Sequence, residues 1–186
     1  MSDEAMLVER AKAGDPEAFA EIYERCQPPI YRYIFFRVGD EHAAEDLTAE
    51  VFLRAVENIH RFSYRGQPLL AWLYAIARNL VVDHHREKIR PGTLPLDDGL
   101  PTHATSPEES TQRQMTRQEL AAAIGELTEE QRMVILLKFV EGLDNEAVAS
   151  LIGKPVGAVK SLQHRALAAL RRILERREQE QQEKGR

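Results

Sequence analysis

The chain has 186 residues, of which 43% are hydrophobic and 30% charged, with a net charge of −5 and a single cysteine. This length allows one or two domains, and no run approaches the roughly 18 apolar residues that a membrane span requires. One cysteine excludes an internal disulfide framework and a cysteine-based zinc site. The polar, acidic residues 1–10 do not form a secretory signal. We therefore expect a cytoplasmic protein, and nothing in the sequence calls for a cofactor.

The net acidity conceals an alternating distribution of charge. Residues 51–90 carry seven basic side chains against three acidic ones, and residues 155–177 carry six against one. Acidic groups dominate residues 1–50 and 91–131. Such asymmetry is more informative about partners than the total charge is. It indicates two basic surfaces separated by acidic segments.

Apolar residues recur at helical spacing along most of the chain, and no segment shows sustained two-residue alternation, so we predict an all-α fold. The stretch from Arg90 to Thr111 differs, with four Pro and two Gly among mostly polar residues. Such a composition favours a linker. We predict an N-terminal helical domain over 1–90, a flexible, acidic Pro-rich linker over 91–111, a C-terminal helical domain over 112–178 and a frayed tail over 179–186.

A helix predicted over Ala43 to Ile59 has two distinct faces. One face carries Ala44, Thr48, Val51, Ala55 and Ile59. The other carries Asp46, Glu50, Leu53 and Glu57 at positions i, i+4, i+7 and i+11. An acidic stripe that contains a leucine could dock onto a basic protein helix, although a solvated charged face has the same pattern.

An aromatic loop and a basic helix follow this stripe. The loop reads R-F-S-Y-R-G-Q-P, and on the helix Trp72, Leu73, Ile76 and Leu80 are predicted to point inward. Arg78, Val82 and His85 are predicted to point outward, with Arg86 beside them. This combination suits single-stranded nucleic acid, because bases stack or enter a pocket while cations hold phosphates.

The triplet Asp83-His84-His85 spells a signature of a metal-dependent phosphoesterase family. It lies here in a helical, basic context, without the further Asp and His ligands that such a site needs. We therefore expect no catalytic site and no metal.

Residues 127–175 have the order of elements of a helix-turn-helix. Thr128 is a candidate N-cap for a helix that runs through Val140 and stops near Gly142. Asp144 caps a short second helix, Gly153 supplies the turn, and Pro155 suits the first position of the next helix.

The last helix separates an apolar face from a polar one. Val159, Leu162, Ala166, Leu170 and Ile173 fall on one side. Gly157, Lys160, Ser161 and His164 fall on the other, with Arg165 beside them and Arg171 and Arg172 extending that face. Polar groups at the N-terminal end of such a helix are placed to read base edges, whereas a simple solvated face is the alternative.

Four strings in this order resemble bacterial RNA polymerase sigma factors of the extracytoplasmic-function (ECF) type, within the sigma-70 family. They are A-E-D-L-T-A-E-V-F-L-R-A, A-W-L-Y-A-I-A-R-N-L-V-V-D-H-H-R, L-T-E-E-Q-R-M-V-I-L-L-K-F-V-E-G-L and I-G-K-P-V-G-A-V-K-S-L-Q-H-R-A. With their surroundings they cover about residues 15–90 and 115–175. Such proteins bind core RNA polymerase, recognise the minus-35 and minus-10 promoter elements and promote open-complex formation.

The resemblance implies a role for each group of residues. Asp46, Glu50, Leu53 and Glu57 would dock on the clamp helices of the polymerase β′ subunit. The loop Phe62–Gln67, with Phe62, Ser63, Tyr64 and Arg65, would capture an unpaired minus-10 base. Arg78, Asn79, Asp83, His84, Arg86 and Arg90 would bind the strands of that element. Gly157, Lys160, Ser161, His164 and Arg165 would meet the minus-35 duplex, with Arg132 and Lys154 on its backbone.

The resemblance also implies further partners and some departures. The second domain would rest on the β-subunit flap, the linker would thread toward the active-site cleft, and an anti-sigma factor is an expected partner. Ala49 stands where such proteins usually carry Gln, and Leu162 where many carry Arg. Because Leu162 projects to the core side, we do not assign it to DNA.

Three other functions compete with this interpretation. A stand-alone helix-turn-helix regulator would bind promoters without polymerase. A metal phosphoesterase would use Asp83, His84 and His85. An RNA-binding adaptor would prefer RNA to promoter DNA.

Overall fold

The computed structural model describes residues 2–64, 67–89 and 117–184, and this part of the chain is helical with no strand. The all-α prediction is confirmed, with helices in two regions on either side of residues 90–116. The helices are α1 (Asp3–Lys12), α2 (Pro16–Val38), α3 (Glu41–Asn58), α4 (Leu69–Ile89), α5 (residues 117–125), α6 (Glu129–Ile135), α7 (Asn145–Ile152) and α8 (Val156–Lys184). A 3₁₀ turn, Ile59–Arg61, follows α3, and a π-helical segment, Leu136–Val140, continues α6.

Side-chain caps set the starts of the helices in the first region. Ser2, Asp15 and Asp40 each accept a hydrogen bond from a backbone N–H in the first turn of α1, α2 and α3. Helix α2 runs for 23 residues through Pro28 and Pro29 without ending. Each proline removes one helical hydrogen bond, so packing along this helix offsets that loss.

The first region packs α1, α2, α3 and α4 around one apolar core. Its centre includes Val8, Ile30, Ile34, Val51 and Leu73, all inaccessible to solvent. The predicted core face of α3 is confirmed, since Ala44, Thr48, Val51, Ala55 and Ile59 are all buried. Cys26 is also buried, and burial raises the pKa of its thiol to about 11, which makes it a poor nucleophile at neutral pH.

The second region has the predicted helix-turn-helix. Thr128 and Gln131 form a reciprocal capping box at the start of α6, and Asp144 caps α7 through the Ala147 N–H at 2.8 Å. Gly153 adopts φ 67°, the left-handed conformation that the sharp turn between α7 and α8 requires. Helix α8 begins at Val156, one residue after the predicted start at Pro155.

Helix α8 also continues further than the sequence predicts. It runs to Lys184 instead of fraying from residue 179. Arg176 and Arg177 both pair with Glu126 at the end of α5, and Gln181 Nε2 donates to Glu119 at 3.1 Å. Contacts with α5 therefore hold the C-terminal half of α8.

The two regions contact one another directly through the faces of α2 and α4. Tyr33 Oη and Arg37 Nη1 donate to the two carboxylate oxygens of Glu129, at 2.5 and 2.8 Å. Arg32 donates to both oxygens of Glu141, at 2.6 and 2.5 Å. Two glutamates of the second region thus accept hydrogen bonds from two arginines and a tyrosine of α2 in the first region.

Within the described ranges, no helix is long and apolar enough to cross a bilayer. The same part of the chain holds no group of three or more His, Cys, Asp or Glu side chains that could bind a metal ion. Asp83 contacts Arg86 at 3.9 Å instead of converging with other acidic or histidine ligands.

Candidate nucleic-acid interface

The exposed face of α8 carries the side chains predicted for double-stranded DNA. Gly157, Lys160, Ser161, His164 and Arg165 are all exposed. Val159, Leu162 and Ala166 are buried on the opposite side, as the helical projection predicts. Leu162 is thus a core residue and is unavailable to DNA. The N-terminal half of α8 therefore offers a continuous polar surface about two and a half turns long.

Few intramolecular contacts occupy this polar surface. Ser161 Oγ donates to the Gly157 carbonyl at 3.2 Å, and Arg165 Nε donates weakly to the Ser161 carbonyl at 3.4 Å. Lys154, in the turn before α8, pairs with Glu130 at 2.8 Å and is half-buried. Lys160 and His164 lie one helical turn apart, at a spacing that reaches neighbouring base pairs.

The structure removes Arg132 from the predicted minus-35 set. Arg132 is only 3% exposed to solvent. The guanidinium donates to the carbonyls of Ile124, Gly125 and Leu127 and pairs with Glu129. These four hydrogen bonds bury the guanidinium where the end of α5 meets α6, so it is not available to DNA, and the prediction that it holds the DNA backbone is wrong.

Helix α4 presents a second polar face, predicted for the minus-10 element. Arg78, Asn79, Asp83 and Arg86 are exposed on it. His84 is half-buried, and its Nε2 is buried without a partner. Burial lowers the pKa of His84 and of His85, which favours the uncharged form of both imidazoles. The positive charge of this face therefore comes from Arg78 and Arg86.

The loop before α4 only partly matches its predicted role. Ser63 and Tyr64 are exposed, whereas Phe62 is 7% exposed and its ring lies 5.1 Å from the ring of Trp72. Phe62 is thus part of the core, which contradicts its place among the predicted minus-10 contacts, whereas the role of the rest of the loop stays a prediction. Arg65 and Arg90 lie outside the described residues.

A cleft beside this loop includes residues that lie outside the predicted sites. Its volume is about 290 Å³, and Arg54, Asn58, Arg61, Trp72, Ile76 and Asn79 line it. The half-buried Trp72 forms an apolar wall, and the other groups supply hydrogen-bond donors and acceptors. Arg54, Asn58 and Arg61 follow the spacing i, i+4, i+7, a signal that was available in the sequence but fell outside the predicted stripe.

The acidic stripe of α3 is exposed as predicted. Asp46, Leu53 and Glu57 are exposed, and Glu50 is half-buried and pairs with Arg54 at 2.7 Å. Leu53 is 56% exposed, and Val56, one helical turn away, is 49% exposed, so the stripe has an apolar edge. An apolar cleft of about 320 Å³ lies along the neighbouring surface, lined in part by Tyr23, Phe52 and Val56.

Comparisons with known proteins agree with this division into two parts. The family profile of Sigma-70 region 2 matches residues 22–90, and that of Sigma-70, region 4 matches residues 117–170. The ECF RNA polymerase sigma factor SigW of Bacillus subtilis is 31% identical over 177 residues, which are 90% of this chain and 94% of the relative. The chain belongs to the ECF sigma factors of the sigma-70 family.

Other relatives of this sigma factor support the same assignment. ECF sigma factor SigD of Mycobacterium tuberculosis is 34% identical over 173 residues, covering 89% of this chain and 81% of the relative. ECF sigma factor BldN of Streptomyces coelicolor is 40% identical over 170 residues, which are 90% of this chain but 64% of that longer relative. The sigma factor functions in transcription initiation, and its family is one of transcription factors rather than of catalytic enzymes.

Solved structures show the same fold at lower identity. CnrH, solved in complex with the cytosolic domain of CnrY, has a TM-score of 0.66 and 23% identity and covers 94% of this sigma factor and 98% of that chain. The sigma factor RpoE of Bartonella quintana, solved with the anti-sigma factor NepR, has a TM-score of 0.56 and 23% identity over 84% of this sigma factor and 96% of that chain.

Proposed function

We propose that this sigma factor docks on core RNA polymerase through the acidic stripe of α3, captures the minus-10 element with α4 and its preceding loop, and reads the minus-35 duplex with α8. The observation that carries the proposal is the exposed polar face of α8, on which Lys160, Ser161 and His164 lie opposite a buried apolar face. A recognition helix needs this division, because one side must pack while the other enters the major groove.

The minus-10 surface is proposed without Phe62. Ser63 and Tyr64 are exposed in the loop that precedes α4, and Asn58, Arg61 and Asn79 supply polar groups in the 290 Å³ cleft. A base that leaves the stack loses its pairing partners, so a cleft with donors and acceptors next to an indole ring compensates for that loss. Arg78 and Arg86 hold the neighbouring phosphates. Opening of the promoter then follows from preferential binding of the unpaired strand, which is a population shift and not a catalysed step.

The proposed partners are core RNA polymerase, through the β′ clamp helices and the β flap, promoter DNA, and an anti-sigma factor. In two of the similar structures CnrH is bound to the cytosolic domain of CnrY and the sigma factor RpoE to the anti-sigma factor NepR, and such a regulator is consistent with the surfaces described. The protein would act in the bacterial cytoplasm, associated with the nucleoid through polymerase, and would carry out no catalysis of its own.

Run-off transcription with core polymerase tests the proposal directly. Core polymerase, the full-length chain and a set of genomic promoters are expected to yield discrete transcripts that are absent without the protein. A stand-alone regulator would instead bind palindromic sites tightly without polymerase. Metal-dependent phosphoester hydrolysis that His85→Ala abolishes would favour the phosphoesterase, and preference for RNA over promoter DNA would favour the adaptor. Any of these three results without promoter-specific initiation would overturn the proposal.

Substitution of Lys160 by alanine is expected to weaken binding to the minus-35 duplex by about 5- to 150-fold, because a well-placed side chain contributes about 1–3 kcal/mol of base discrimination. Binding to core polymerase should remain unchanged. Electrophoretic mobility shifts of holoenzyme on duplexes with each minus-35 position altered measure the effect. Lys12→Ala, on α1 and paired with Glu9, is the control. Loss of polymerase binding together with promoter binding would show that the two functions are not carried by separate regions.

A further inference from the structure

The first backbone N–H of α4 donates to a side chain of α1. Leu69 N donates to Glu4 Oε1 at 2.9 Å, across 65 positions of the chain. Helices α1, α2 and α3 are instead capped by the residue just before each of them. Pro68, which precedes α4, has no side-chain oxygen to serve as such a cap. Glu4 therefore supplies from α1 the acceptor that Pro68 cannot provide.

A carboxylate suits this position for two physical reasons. The first N–H groups of a helix have no carbonyl partner within the helix, and the helix dipole places partial positive charge at the same end. Leu69 is buried, and a buried N–H without a partner is costly. The Glu4 carboxylate therefore stabilises one particular starting position of α4.

Helix α1 is itself held in place on the first region. Ala5, Leu7 and Val8, which follow Glu4, are buried, and Ser2 Oγ accepts a hydrogen bond from the Ala5 N–H at 3.3 Å. The helix also packs against the turn Ile59–Arg61 that follows α3. Residues of α1 thus contact both the turn that ends the α3 segment and the first amide of α4.

These two contacts of α1 lie on opposite walls of the 290 Å³ cleft. One wall comes from α3 and its following turn, and the other from Trp72, Ile76 and Asn79 of α4. Trp72 lies about one helical turn beyond Leu69. Because α4 carries one whole wall, the separation of the walls depends on where and at what angle α4 begins. Glu4 acts at that starting point.

We propose that Glu4 is a positioning residue for minus-10 recognition, which fixes the start of α4 relative to the turn Ile59–Arg61 and so sets the shape of the cleft for an unpaired base. Glu4 does not touch DNA in this role. It lies outside residues 22–90, the segment that the Sigma-70 region 2 profile matches. The proposal rests on the minus-10 function proposed above, because that function assigns the cleft to a base.

Binding of single-stranded promoter DNA to holoenzyme, assembled with the full-length chain, tests this role. The probes are the non-template strand of a promoter that supports run-off transcription, and the same strand with an abasic site at each minus-10 position in turn. A captured base contributes about 5- to 150-fold in affinity, so the wild type should lose about that factor at one position. Glu4→Ala should reduce this factor by at least about threefold, because a misplaced wall holds the base less well. A variant that was only less stable would bind both strands more weakly and keep their ratio.

Further variants separate the hydrogen bond from other effects on α1. Glu4→Gln keeps an acceptor oxygen and should retain most of the wild-type ratio. Glu4→Asp keeps the charge in the first turn of α1 but is one methylene shorter, so it should behave like Glu4→Ala and replaces that variant if circular dichroism shows it unfolded. Glu9→Ala is the matched control, because Glu9 is exposed on the same helix and pairs with Lys12 within it. It should leave the ratio unchanged.

Amide hydrogen exchange of the free protein measures the contact itself. In Glu4→Ala the Leu69 amide should exchange at least about tenfold faster than in the wild type, as expected for the loss of a hydrogen bond to a charged group. The amide of Leu80, in the interior of α4, should keep its wild-type rate. The affinity of Glu4→Ala for core polymerase should also equal that of the wild type, because the proposed docking stripe lies on α3.

The outcomes distinguish the positioning role from the function on which it rests. Wild-type ratios in the folded Glu4→Ala and Glu4→Asp variants would overturn the role of Glu4 and leave the minus-10 function standing. Equal losses in Glu4→Gln and Glu4→Ala would overturn the hydrogen bond as the cause. If wild-type holoenzyme bound the intact and abasic strands equally, the proposed minus-10 function itself would be overturned.

Discussion

Replacement of Arg132 by methionine is expected to lower the free energy of unfolding by about 3–5 kcal/mol, because it breaks a buried network of charge-assisted hydrogen bonds. The lost bonds join Nε to the Ile124 carbonyl at 3.1 Å, and Nη2 to the carbonyls of Gly125 and Leu127 at 2.8 and 2.6 Å. Methionine fills a similar volume but leaves these three carbonyls without a donor. Urea unfolding followed by circular dichroism measures the change.

Arg171→Met is the matched control for this variant. Arg171 pairs with Glu175 one helical turn away at 2.9 Å, and its side chain is largely exposed. Exposed pairs of this kind contribute about 0.3–0.5 kcal/mol, so the midpoint of unfolding should barely move. If Arg132→Met were no more damaging than Arg171→Met, the guanidinium would not be bonded as described, and Arg132 would return to the set of candidate phosphate contacts.

Several features of this molecule could be predicted from its sequence, because they depend on residues close together in the chain. The faces of α3 and α8 follow from helical periodicity, since every third or fourth residue must be apolar to pack. The caps at Thr128 and Asp144 and the turn at Gly153 follow from local backbone requirements. These features depend on residues within a few positions of one another, and all of them are confirmed.

Features that depend on distant partners were not predictable in the same way. An arginine next to a predicted DNA-binding helix has the same sequence signal whether its guanidinium faces phosphate or backbone carbonyls. The prediction for Phe62 fails for a similar reason. The sequence does not show whether an aromatic residue in a loop faces solvent or packs on a distant side chain, here Trp72. The contact between Arg32 and Glu141 joins positions 109 residues apart, so no local pattern indicates it.

The clefts could be predicted from the sequence only in part. Arg54, Asn58 and Arg61 project from one face of the α3 segment and its following turn, a pattern that periodicity can detect. That they meet Asn79 of α4 in one cleft depends on the packing of α3 against α4. Sequence patterns thus predicted the polar faces of single helices, whereas the recesses where two helices meet required the fold.

Replacement of Glu50 by arginine is expected to weaken assembly with core polymerase by at least about tenfold, because like charges brought together at an interface cost several kcal/mol. Glu50 lies in the middle of the acidic stripe proposed to dock on a basic partner helix. Titration of fluorescent sigma factor with core polymerase, followed by anisotropy, measures the dissociation constant. The loss should shrink at high salt, since screening shortens the Debye length to about 3 Å at 1 M.

Glu175→Arg separates docking from the loss of an intrahelical pair. Glu50 pairs with Arg54 and Glu175 with Arg171, both across one helical turn and at 2.7 and 2.9 Å. Reversal at either position therefore removes an equivalent surface pair and places two arginines four residues apart. Only the reversal on α3 should weaken the complex with polymerase. Equal affinities of the two variants would show that the stripe does not dock.

Leu53 provides a test of the same surface that does not involve charge. Leu53→Ala is expected to weaken assembly by about 5- to 30-fold, the effect of losing about 1–2 kcal/mol from an interface anchor, and this loss should persist at high salt. Leu167→Ala, at an exposed leucine of α8, should have no effect. If the stripe acts by electrostatic attraction alone, Leu53→Ala should bind polymerase as tightly as the wild type. Any apolar contact with polymerase would then have to involve the cleft around Val56. A salt-sensitive loss at Glu50 together with a salt-insensitive loss at Leu53 would indicate that both side chains contact polymerase, one through its charge and one through apolar burial.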